Sequence, residues 1–301
     1  MNEKPEVSVI VVNWNTRDEL RECLRSLHPS HHPGVQVEII VVDNASWDDS
    51  VAMVKREFPE VKLIENRLNE GFGKAHNRAA NIAQGRYLML LNSDAQAHPG
   101  SLKALVDYAD AHPNVGIIAP KVLNPDGSLQ YSCRRFPVYE AGLFRNTFLG
   151  RLFPQNRFVR DYLMTDFDHA HTAEVDWVSG CAMMVRHEAW QQLGGFDERF
   201  FMYCEDVDLC WRAHEMGWKV VYHPEAVVTH AIGRSSDKAV NAMIRQFHRS
   251  HRLFFQKHYA HRLPVWSRLL IPLGLWLRAN LLVARNYLIA LRLKVLRWTC
   301  R

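Results

Sequence analysis

Residues 238–301 contain no aspartate or glutamate, although they hold 13 lysines and arginines. Because the whole chain carries a formal charge of +5, the first 237 residues must sum to 5 − 13 = −8. From Leu263 onward the basic tail also alternates Leu, Ile, Val and Trp with arginine. This apolar content favours an anionic membrane surface, and not nucleic acid, as the partner of the tail.

Cysteine is sparse, and its six residues show neither the paired spacing of a zinc site nor the density of a disulfide scaffold. We therefore expect reduced thiols in a cytosolic setting. The first residues, Met1–Val7, are mostly polar and lack the apolar region of a signal peptide. We expect the body of the chain to stay in the cytoplasm, peripheral on the inner face of the cell membrane.

Short apolar runs alternate with helical patterns in the first half of the chain. Four runs are predicted to be strands buried on both faces: Val7–Val12, Val37–Val42, Val61–Ile64 and Tyr87–Leu91. This alternation of strand and helix predicts an α/β fold with a doubly wound, mostly parallel, Rossmann-like sheet.

Helical patterns lie between these runs. Thr16 and Glu19 predict a capping box at the start of the first helix. Two more helices are predicted over about 48–58 and over Gly73–Ala83. From about 95 to 175 the pattern weakens, which predicts long functional loops.

Regular structure is predicted to return later in the chain. The predicted segments are Val175–Arg186, a helix from Glu205 to Met216, and strands at Val220–Tyr222 and Ala226–Thr229.

Polar residues directly follow three of the predicted strands. Ligands of such sheets bind beyond the carboxyl ends of the strands, so we expect one crevice lined by Asn13-Trp14-Asn15, Asp43-Asn44-Ala45-Ser46 and Asn92-Ser93-Asp94. There the Asp43 carboxylate could accept a hydrogen bond from a pyrimidine N–H, while Asn13 and Trp14 supply an amide and a ring face. A helix cap at Asp43 and a packed indole at Trp14 carry equal weight on the residues alone.

The segment from Asn69 to Asn77 places small residues and amides at the start of a helix. Backbone N–H groups there favour an anion, so Gly71, Gly73 and Asn77 are candidate nucleotide-binding residues. The segment is not a P-loop, because no Gly-Lys-Ser/Thr follows, and two glycines alone are weak evidence.

Asp94 comes after a buried apolar run, where a charge needs solvent, a partner or a metal. A divalent cation takes hard oxygen ligands, which Asp94 and a bound diphosphate can share; an ordinary turn carboxylate is the alternative. Ser93 joins the candidate nucleotide-binding residues. His230 ends the last strand segment, and a lone histidine is more often structural than a ligand.

The densest polar run is Gly194–Leu209, with two glycines, four aromatic residues and five acids in sixteen residues. It fits neither a solvated face nor a core and predicts a partly dry acidic pocket. Neighbouring carboxyls raise one another's pKa, which suits a general base, so Glu205 and Asp206 are the candidate catalytic residues. Asp208 and Arg212, four residues apart, predict a structural ion pair.

In this order, the motifs resemble the large family-two group of inverting glycosyltransferases with the GT-A fold, and especially its bacterial rhamnosyltransferase-like branch. The resemblance covers about residues 6–260. It rests on Val-Val-Asn-Trp-Asn, Val-Val-Asp-Asn-Ala-Ser, Asn-x-Gly-Phe-Gly-x-Ala-x-Asn, Asn-Ser-Asp, Gly-Gly-Phe-Asp-Glu…Glu-Asp-Val-Asp-Leu, and a terminal His. Each motif is weak alone, whereas six in the right order are specific.

The resemblance implies transfer of a hexose from a nucleotide-diphosphate sugar to a hydroxyl of a lipid-linked or cell-envelope glycan. It leans towards deoxythymidine-diphosphate rhamnose as donor. It also implies that Asn13, Trp14 and Asp43 hold the nucleoside.

The resemblance further implies that Asp94 and His230 coordinate a divalent cation, Mg²⁺ or Mn²⁺, on the donor diphosphate. Asp206, within Glu205-Asp206, is then the base that deprotonates the acceptor hydroxyl. One departure is Asn92, which stands where the usual Asp-x-Asp signature has its first aspartate. An amide oxygen is a weaker ligand, so Asp94 is expected to be the main carboxylate on the metal.

The expected organisation is a GT-A domain over 1–260, with a nucleotide-binding half (1–120) and an acceptor and catalytic half (121–260). Basic amphipathic helices follow over 261–301. The longest uncharged run there, Leu269–Leu277, is too short to span a bilayer of about 30 Å, which favours a helix lying in the interface. The alternative is a tail packed on a partner subunit in a homo-oligomer.

Two other classes stay open on the residues alone. A sugar nucleotidyltransferase usually needs a glycine-rich, basic loop after the first strand, and Asn13–Arg17 does not provide one. A noncatalytic, membrane-bound sugar-binding protein would have no reason to keep Asp94 together with Glu205 and Asp206.

Overall fold

The computed structural model of the protein describes residues 4–138, 141, 148–154, 156–231 and 240–299. The chain divides into two compact units, Met1–Asp197 with Glu205–Ile232, and Glu198–Cys204 with Gly233–Arg301. All of the predicted site residues belong to the first unit. The domain boundary expected near residue 260 stays a prediction.

The first unit is built on one large mixed sheet. Its strands and those of a small separate ladder are β1 (Val7–Asn13), β2 (Val37–Asp43), β3 (Lys62–Glu65), β4 (Tyr87–Asn92), β5 (Ala95–Ala97), β6 (Val115–Leu123), β7 (Leu129–Gln130), β8 (Cys133–Arg134), β9 (Ala173–Glu174), β10 (Trp177–Val178), β11 (Ala182–Arg186) and β12 (Lys219–His230). The large sheet has the order β3-β2-β1-β4-β11-β6-β12-β5, with β7 on β6 and β9 on β12, while β8 and β10 pair separately.

Strand direction divides this sheet. β3, β2, β1 and β4 are parallel, and so are β6 and β12. β11 runs antiparallel to both β4 and β6. The predicted α/β class, with its doubly wound, mostly parallel GT-A sheet, is confirmed.

Burial follows position in the sheet. β1 and β4 are central and almost wholly buried, as their apolar runs predict. β3 ends the sheet, so Lys62 and Glu65 are exposed and the two residues between them are half-buried. Burial on both faces was therefore a wrong prediction for this strand.

The helices of the described residues are α1 (Arg17–Ser26), α2 (Ser50–Glu57), α3 (Phe72–Ala80), α4 (Ser101–Ala111), α5 (Phe148–Leu152), α6 (Arg157–Leu163), α7 (His187–Leu193), α8 (Glu205–Glu215), α9 (Val240–His258) and α10 (Ser267–Thr299), with a short 3-10 turn at Pro29–His31. The capping box predicted for α1 is wrong, because the Thr16 side chain makes no cap bond. Its hydroxyl bonds the Asn13 side chain instead, at 2.7 Å. α3 ends three residues before the predicted Ala83.

The region predicted to be long loops contains central structure. α4 and β6 both lie in it, and β6 pairs with β11 and β12 in the sheet. β6 contains Gly116, and a larger residue would not fit there, because a Cβ would come within 2.8 Å of the Trp218 side chain. Glycine and proline inside this strand hide it from a strand pattern.

In the second unit, α9 and α10 pack together, and Asn286 donates a hydrogen bond to Asn241 at 2.9 Å. Ala279 and Val283 are buried, while α10 exposes a set of large apolar side chains at helical spacing: Leu270, Leu273, Leu277, Leu281 and Leu288. Among the described residues, one segment, Ser267–Ile289, is long and apolar enough to cross a membrane by length and composition. This segment of 23 residues is longer than the uncharged run Leu269–Leu277 because it includes isolated arginines.

Candidate active site

The carboxyl ends of β1 and β2 meet in a network of buried polar side chains. Asn13 and Asp43 are register partners, and the Asn13 amide donates to Asp43 Oδ1 at 3.0 Å and to Ser46 Oγ at 3.1 Å. The Ser46 N–H donates to Asp43 Oδ2 at 2.8 Å. A carboxylate has about four acceptor positions, so Asp43 keeps capacity for a further donor while Asn13 holds its orientation.

Hydroxyl groups join this network to the end of β4. Thr16 donates to Asn13 Oδ1, and its oxygen lies 2.7 Å from the Ser93 hydroxyl. Two of the predicted polar clusters are thereby brought into direct contact. Ser93 lies beside Asp94 and is buried.

Trp14 is half-buried beside this network. Its ring meets that of Trp47 edge to face, with centroids 5.5 Å apart, and Trp47 itself is 72% exposed. The two indoles form an aromatic rim next to Asp43, which extends the single ring expected from the sequence.

The segment before and within α3 is held by internal hydrogen bonds. Gly71 precedes the helix with φ of 85°, a conformation that favours glycine, and its carbonyl accepts from Asn44 at 3.1 Å. Gly73 is buried. The Asn77 amide pairs with both the N–H and the carbonyl of Phe196, each at 2.9 Å, so Asn77 joins α3 to the Gly194–Leu209 segment.

Asp94 and His230 lie side by side. His230 Nε2 is 3.2 Å from Asp94 Oδ1, and both side chains are about nine-tenths buried. On its other side, His230 Nδ1 lies 2.8 Å from Gln130 Oε1. That oxygen can only accept, so Nδ1 carries a proton, and Nε2 is the ring atom that faces Asp94.

In a neutral imidazole Nε2 carries a lone pair, which together with the Asp94 carboxylate gives two metal-donor atoms side by side, so the pair fits a metal. In the described part of the chain no group of three or more His, Cys, Asp or Glu side chains is arranged to hold a metal. The protein would therefore supply only two of these ligands, and a bound diphosphate would supply the others. The Asn92 amide nitrogen is 3.2 Å from His230 Nε2, and turning the amide over would present its oxygen instead.

Glu205 and Asp206 begin α8 in a dry setting. Burial raises the pKa of Glu205 well above its usual range, and the charge of Asp206 raises that pKa further. Burial also raises the pKa of Asp206, but the N–H groups of Gly180 and Val207 donate to its two oxygens at 2.9 and 2.8 Å and oppose the rise. Glu205 Oε2 has no hydrogen-bond partner among the described residues. Asp206 is therefore better suited to be ionised, whereas Glu205 is better suited to stay protonated.

The dry setting has an aromatic wall. Phe72, His76 and Phe196 contact one another, with 4.1 Å between the Phe72 and His76 ring centroids. Phe72 and the Asp206 Cβ both come within 3.4 Å of the position that a Cβ on Gly180 would take. Burial lowers the pKa of His76 to about 4, so this histidine stays neutral.

Gly180 and Cys181 connect the two acidic centres. Gly180 donates to Asp206, and the Cys181 carbonyl accepts from the Asn92 N–H at 2.9 Å. Burial raises the pKa of the Cys181 thiol to about 11, and the charges of Asp206 and Asp94 contribute to this rise. Burial and the charge of Asp94 raise the pKa of the Cys23 thiol as well. Backbone hydrogen bonds therefore tie the segments that carry Asp94 and Asp206 to two adjacent residues, Cys181 and Gly180.

The Asp208–Arg212 ion pair is confirmed at 2.8 Å, with Asp208 fully buried. Arg212 also donates to the carbonyls of Leu193 and Gly195, at 2.6 and 2.8 Å. It thereby fixes the turn that leads to Phe196. The five cysteines that the structure describes are buried and make no disulfide.

Sequence reasoning missed three contributors to this region. Gln130 orients His230 from a two-residue strand, and Gly180 acts through its backbone N–H. Arg134, on the short strand β8, carries a positive charge near Asp206 that lowers the pKa of Asp206. None of the three stands in a recognisable local pattern, because each acts through contacts made by folding.

The mixed sheet with polar strand ends is the GT-A architecture of glycosyltransferases. The model of the family described as "Glycosyltransferase like family 2" matches residues 5–248, and the chain belongs to this family. The protein is a glycosyltransferase, which sets aside the sugar nucleotidyltransferase and the noncatalytic binding protein.

Two relatives match over nearly the whole chain. An N-acetylglucosaminyl-diphospho-decaprenol L-rhamnosyltransferase of Mycobacterium tuberculosis is 32% identical over 295 residues, 93% of this chain and 92% of the relative. The rhamnosyltransferase WbbL of Escherichia coli K12 is 25% identical over 291 residues, 93% of this chain and 96% of the relative. The predicted resemblance to the rhamnosyltransferase-like branch is confirmed.

A solved structure supports the fold. The mannosyltransferase PcManGT of Pyrobaculum calidifontis, in complex with GDP-Man and Mn²⁺, superposes with a TM-score of 0.56 at 19% identity, covering 99% of this chain and 84% of that one. At this identity the likeness concerns the fold alone.

Glu205 gives a prediction about pH and stability. Its pKa is raised in the folded state above the usual 4.5, so the folded state binds more protons and loses stability as pH rises above about 4.5. Glu205→Gln removes this loss. The free energy of unfolding of the variant should therefore rise relative to that of wild type as pH increases, by at most about 1.4 kcal/mol per pH unit. Urea unfolding of both proteins from about pH 5 to about pH 8 measures the difference.

The matched control is Glu188→Gln, at an exposed glutamate of α7. Its stability should run parallel to that of wild type at every pH. Parallel curves for Glu205→Gln as well would contradict a buried, proton-holding Glu205.

Proposed function

We propose that the protein transfers rhamnose from deoxythymidine-diphosphate rhamnose to a hydroxyl of a lipid-linked cell-envelope glycan, with inversion at the anomeric carbon. Two full-length relatives are named rhamnosyltransferases, and one is named for a diphospho-decaprenol acceptor. The observation that carries the proposal is a pair of hydrogen bonds just before β11, from the Asn92 N–H to the Cys181 carbonyl and from the Gly180 N–H to Asp206. A donor diphosphate at Asp94 and a base at Asp206 can then act on one sugar.

In this proposal Asp206 is the general base. Its carboxylate takes the proton of the acceptor hydroxyl while that oxygen attacks the anomeric carbon opposite the leaving diphosphate. The Gly180 and Val207 N–H groups hold the carboxylate in one orientation. Glu205 keeps its own proton, so a single negative charge is concentrated on Asp206.

The nucleoside would lie at the ends of β1 and β2. Asp43 accepts from the pyrimidine N–H, Asn13 orients Asp43, and Trp14 offers its ring face. The remaining proposed nucleotide contacts come from the α3 segment and the end of β4: Gly71, Gly73, Asn77 and Ser93.

Asp94 and His230 would hold the divalent cation, Mg²⁺ or Mn²⁺. When bound, such a cation stabilises negative charge on the leaving diphosphate as a Lewis acid. Mn²⁺ accompanies GDP-Man in the PcManGT structure. Gln130 keeps the proton of His230 on Nδ1, which leaves Nε2 available as a ligand.

The C-terminal helix would place the enzyme at the inner face of the cell membrane. Its exposed leucines, together with the arginines of the tail, suit a helix that lies in the interface of an anionic bilayer. A lipid-linked acceptor is presented at that interface.

Asp206→Asn should abolish most turnover while donor binding persists, because an amide cannot accept the proton. The expected loss in kcat is about 10²- to 10⁴-fold. A panel of nucleotide sugars identifies the donor. Metal-dependent thermal stabilisation measures donor binding, and sugar transfer measures turnover.

Asp107→Asn, at an exposed aspartate of α4, is the control and should retain wild-type turnover. Turnover of Asp206→Asn within a few-fold of wild type would show that another group is the base. Stabilisation by no nucleotide sugar at all would remove the proposed donor class.

Gln130→Leu should weaken metal binding, because it removes the acceptor that holds the proton on His230 Nδ1. The expected loss of Mn²⁺ affinity is about 10- to 100-fold. Titration of Mn²⁺ followed by electron paramagnetic resonance, with deoxythymidine diphosphate present, measures it without turnover. Gln96→Leu, at an exposed glutamine of β5, is the control, and equal affinities for both variants would rule out this role of Gln130.

Leu277→Glu combined with Leu281→Glu should release the protein from anionic vesicles, because both side chains are exposed on α10, with Leu281 70% exposed. Deletion of residues 263–301 should have the same effect. Co-sedimentation with vesicles measures binding. Leu68→Glu, at a leucine of the first unit that is 61% exposed, should leave binding intact, and unchanged sedimentation of the double variant would refute the membrane role.

A further inference from the structure

Arg134 forms no ion pair with a carboxylate of the described residues. In the part of the chain that the structure describes, no carboxylate lies within ion-pair distance of its guanidinium, whereas the adjacent Arg135 is paired with Asp176 at 3.1 Å. Arg134 is half-buried. A partly desolvated guanidinium without an anion is unfavourable, so its position suggests an anionic ligand.

The side chain of Arg134 is held firmly in place. Its guanidinium lies over the ring of Trp177 at 5.0 Å and over that of Tyr162 at 5.9 Å. Its Nε donates to the Tyr131 carbonyl at 3.1 Å, and its two terminal nitrogens have no protein partner among the described residues. The guanidinium is thus preorganised with its terminal donors available.

Backbone pairing connects Arg134 to the segment that contacts the proposed base. Arg134 is the register partner of Trp177 in the β8–β10 ladder, and the Ser179 N–H donates to the Ser132 carbonyl at 2.8 Å. The next residue is Gly180, whose N–H donates to Asp206. The positive charge of Arg134 lowers the pKa of Asp206 against the effect of burial.

The anion that fits here belongs to the acceptor. In an in-line displacement the base stands on the side of the attacking hydroxyl, opposite the leaving diphosphate, and the β8–β10 ladder connects Arg134 to the segment that contacts this base. An acceptor phosphate approaching Asp206 would be repelled by the carboxylate unless a cation stood beside it. A guanidinium fork matches the geometry of phosphate oxygens.

We infer that Arg134 binds the phosphate or diphosphate group that links the acceptor glycan to its lipid. This inference rests on the proposed transferase function. It makes Arg134 a specificity-determining residue that selects phosphate-linked acceptors over neutral glycosides.

The test compares Arg134→Gln with wild type on two acceptors that share one sugar. One acceptor carries a diphosphate and a short prenyl chain, and the other is the neutral alkyl glycoside. The KM for the diphosphate acceptor should rise about tenfold or more, while the KM for the neutral acceptor stays within about twofold. Arg134→Lys should recover only part of the loss, since a single ammonium lacks the fork.

Arg135→Gln is the matched control, because it removes the same charge from the neighbouring residue and should leave both KM values unchanged. Thermal unfolding verifies that each variant is folded. Isothermal titration of the prenyl diphosphate acceptor into each protein measures acceptor affinity without turnover. Thermal stabilisation by the nucleotide sugar measures donor binding.

Equal losses on both acceptors, with a shifted pH profile, would overturn the inference and assign Arg134 to the tuning of Asp206. Loss of donor stabilisation in Arg134→Gln would overturn it in favour of the donor diphosphate. Binding of the diphosphate acceptor by wild type and not by Arg134→Gln, with no transfer by either, would support the contact while removing the proposed reaction.

Discussion

The antiparallel pairing of β11 with β4 is the constraint on which the candidate site depends. It sets Cys181 beside Asn92 through a backbone hydrogen bond, and it leads Gly180 to Asp206 at the start of α8. Residues about ninety positions apart are thus positioned by main-chain bonds. A slip of one residue in this pairing would turn each side chain of β11 to the other face of the sheet. The segments that carry Asp94 and Asp206 are therefore connected by the same bonds that stabilise the core.

The parts of the molecule that local sequence encodes were predictable. β4 is an unbroken apolar run, β1 and β2 are interrupted only by Ser8 and Glu38, and each strand ends on a polar residue. Both the strands and the meeting of Asn13 with Asp43 therefore follow from pattern alone. The proximity of Asp94 and His230 came from the ordered motifs of the family, since a lone histidine at a strand end carries little information.

The remaining parts depend on contacts that the sequence pattern does not display. β6 contains Gly116 and Pro120, which mask a central strand, and α4 precedes it in the same region. Thr16 was assigned to a helix cap, but its hydroxyl serves Asn13 and Ser93, because a buried amide needs a partner more than a helix end near solvent does. Gln130 and Arg134 lie on two-residue strands that no periodicity reveals.

The buried thiols near Asp94 bear on which ions the crevice can accept. Sulfur coordinates a metal as a thiolate, and the raised pKa values of Cys23 and Cys181 keep both thiols protonated at neutral pH. Carboxylate, amide and phosphate oxygens and one imidazole are then the donors on offer. Magnesium and manganese prefer such hard donors. A thiophilic ion such as copper(I) would have to displace a proton from one of these buried thiols before sulfur could bind it, which weakens its competition for the proposed cation site beside Asp94.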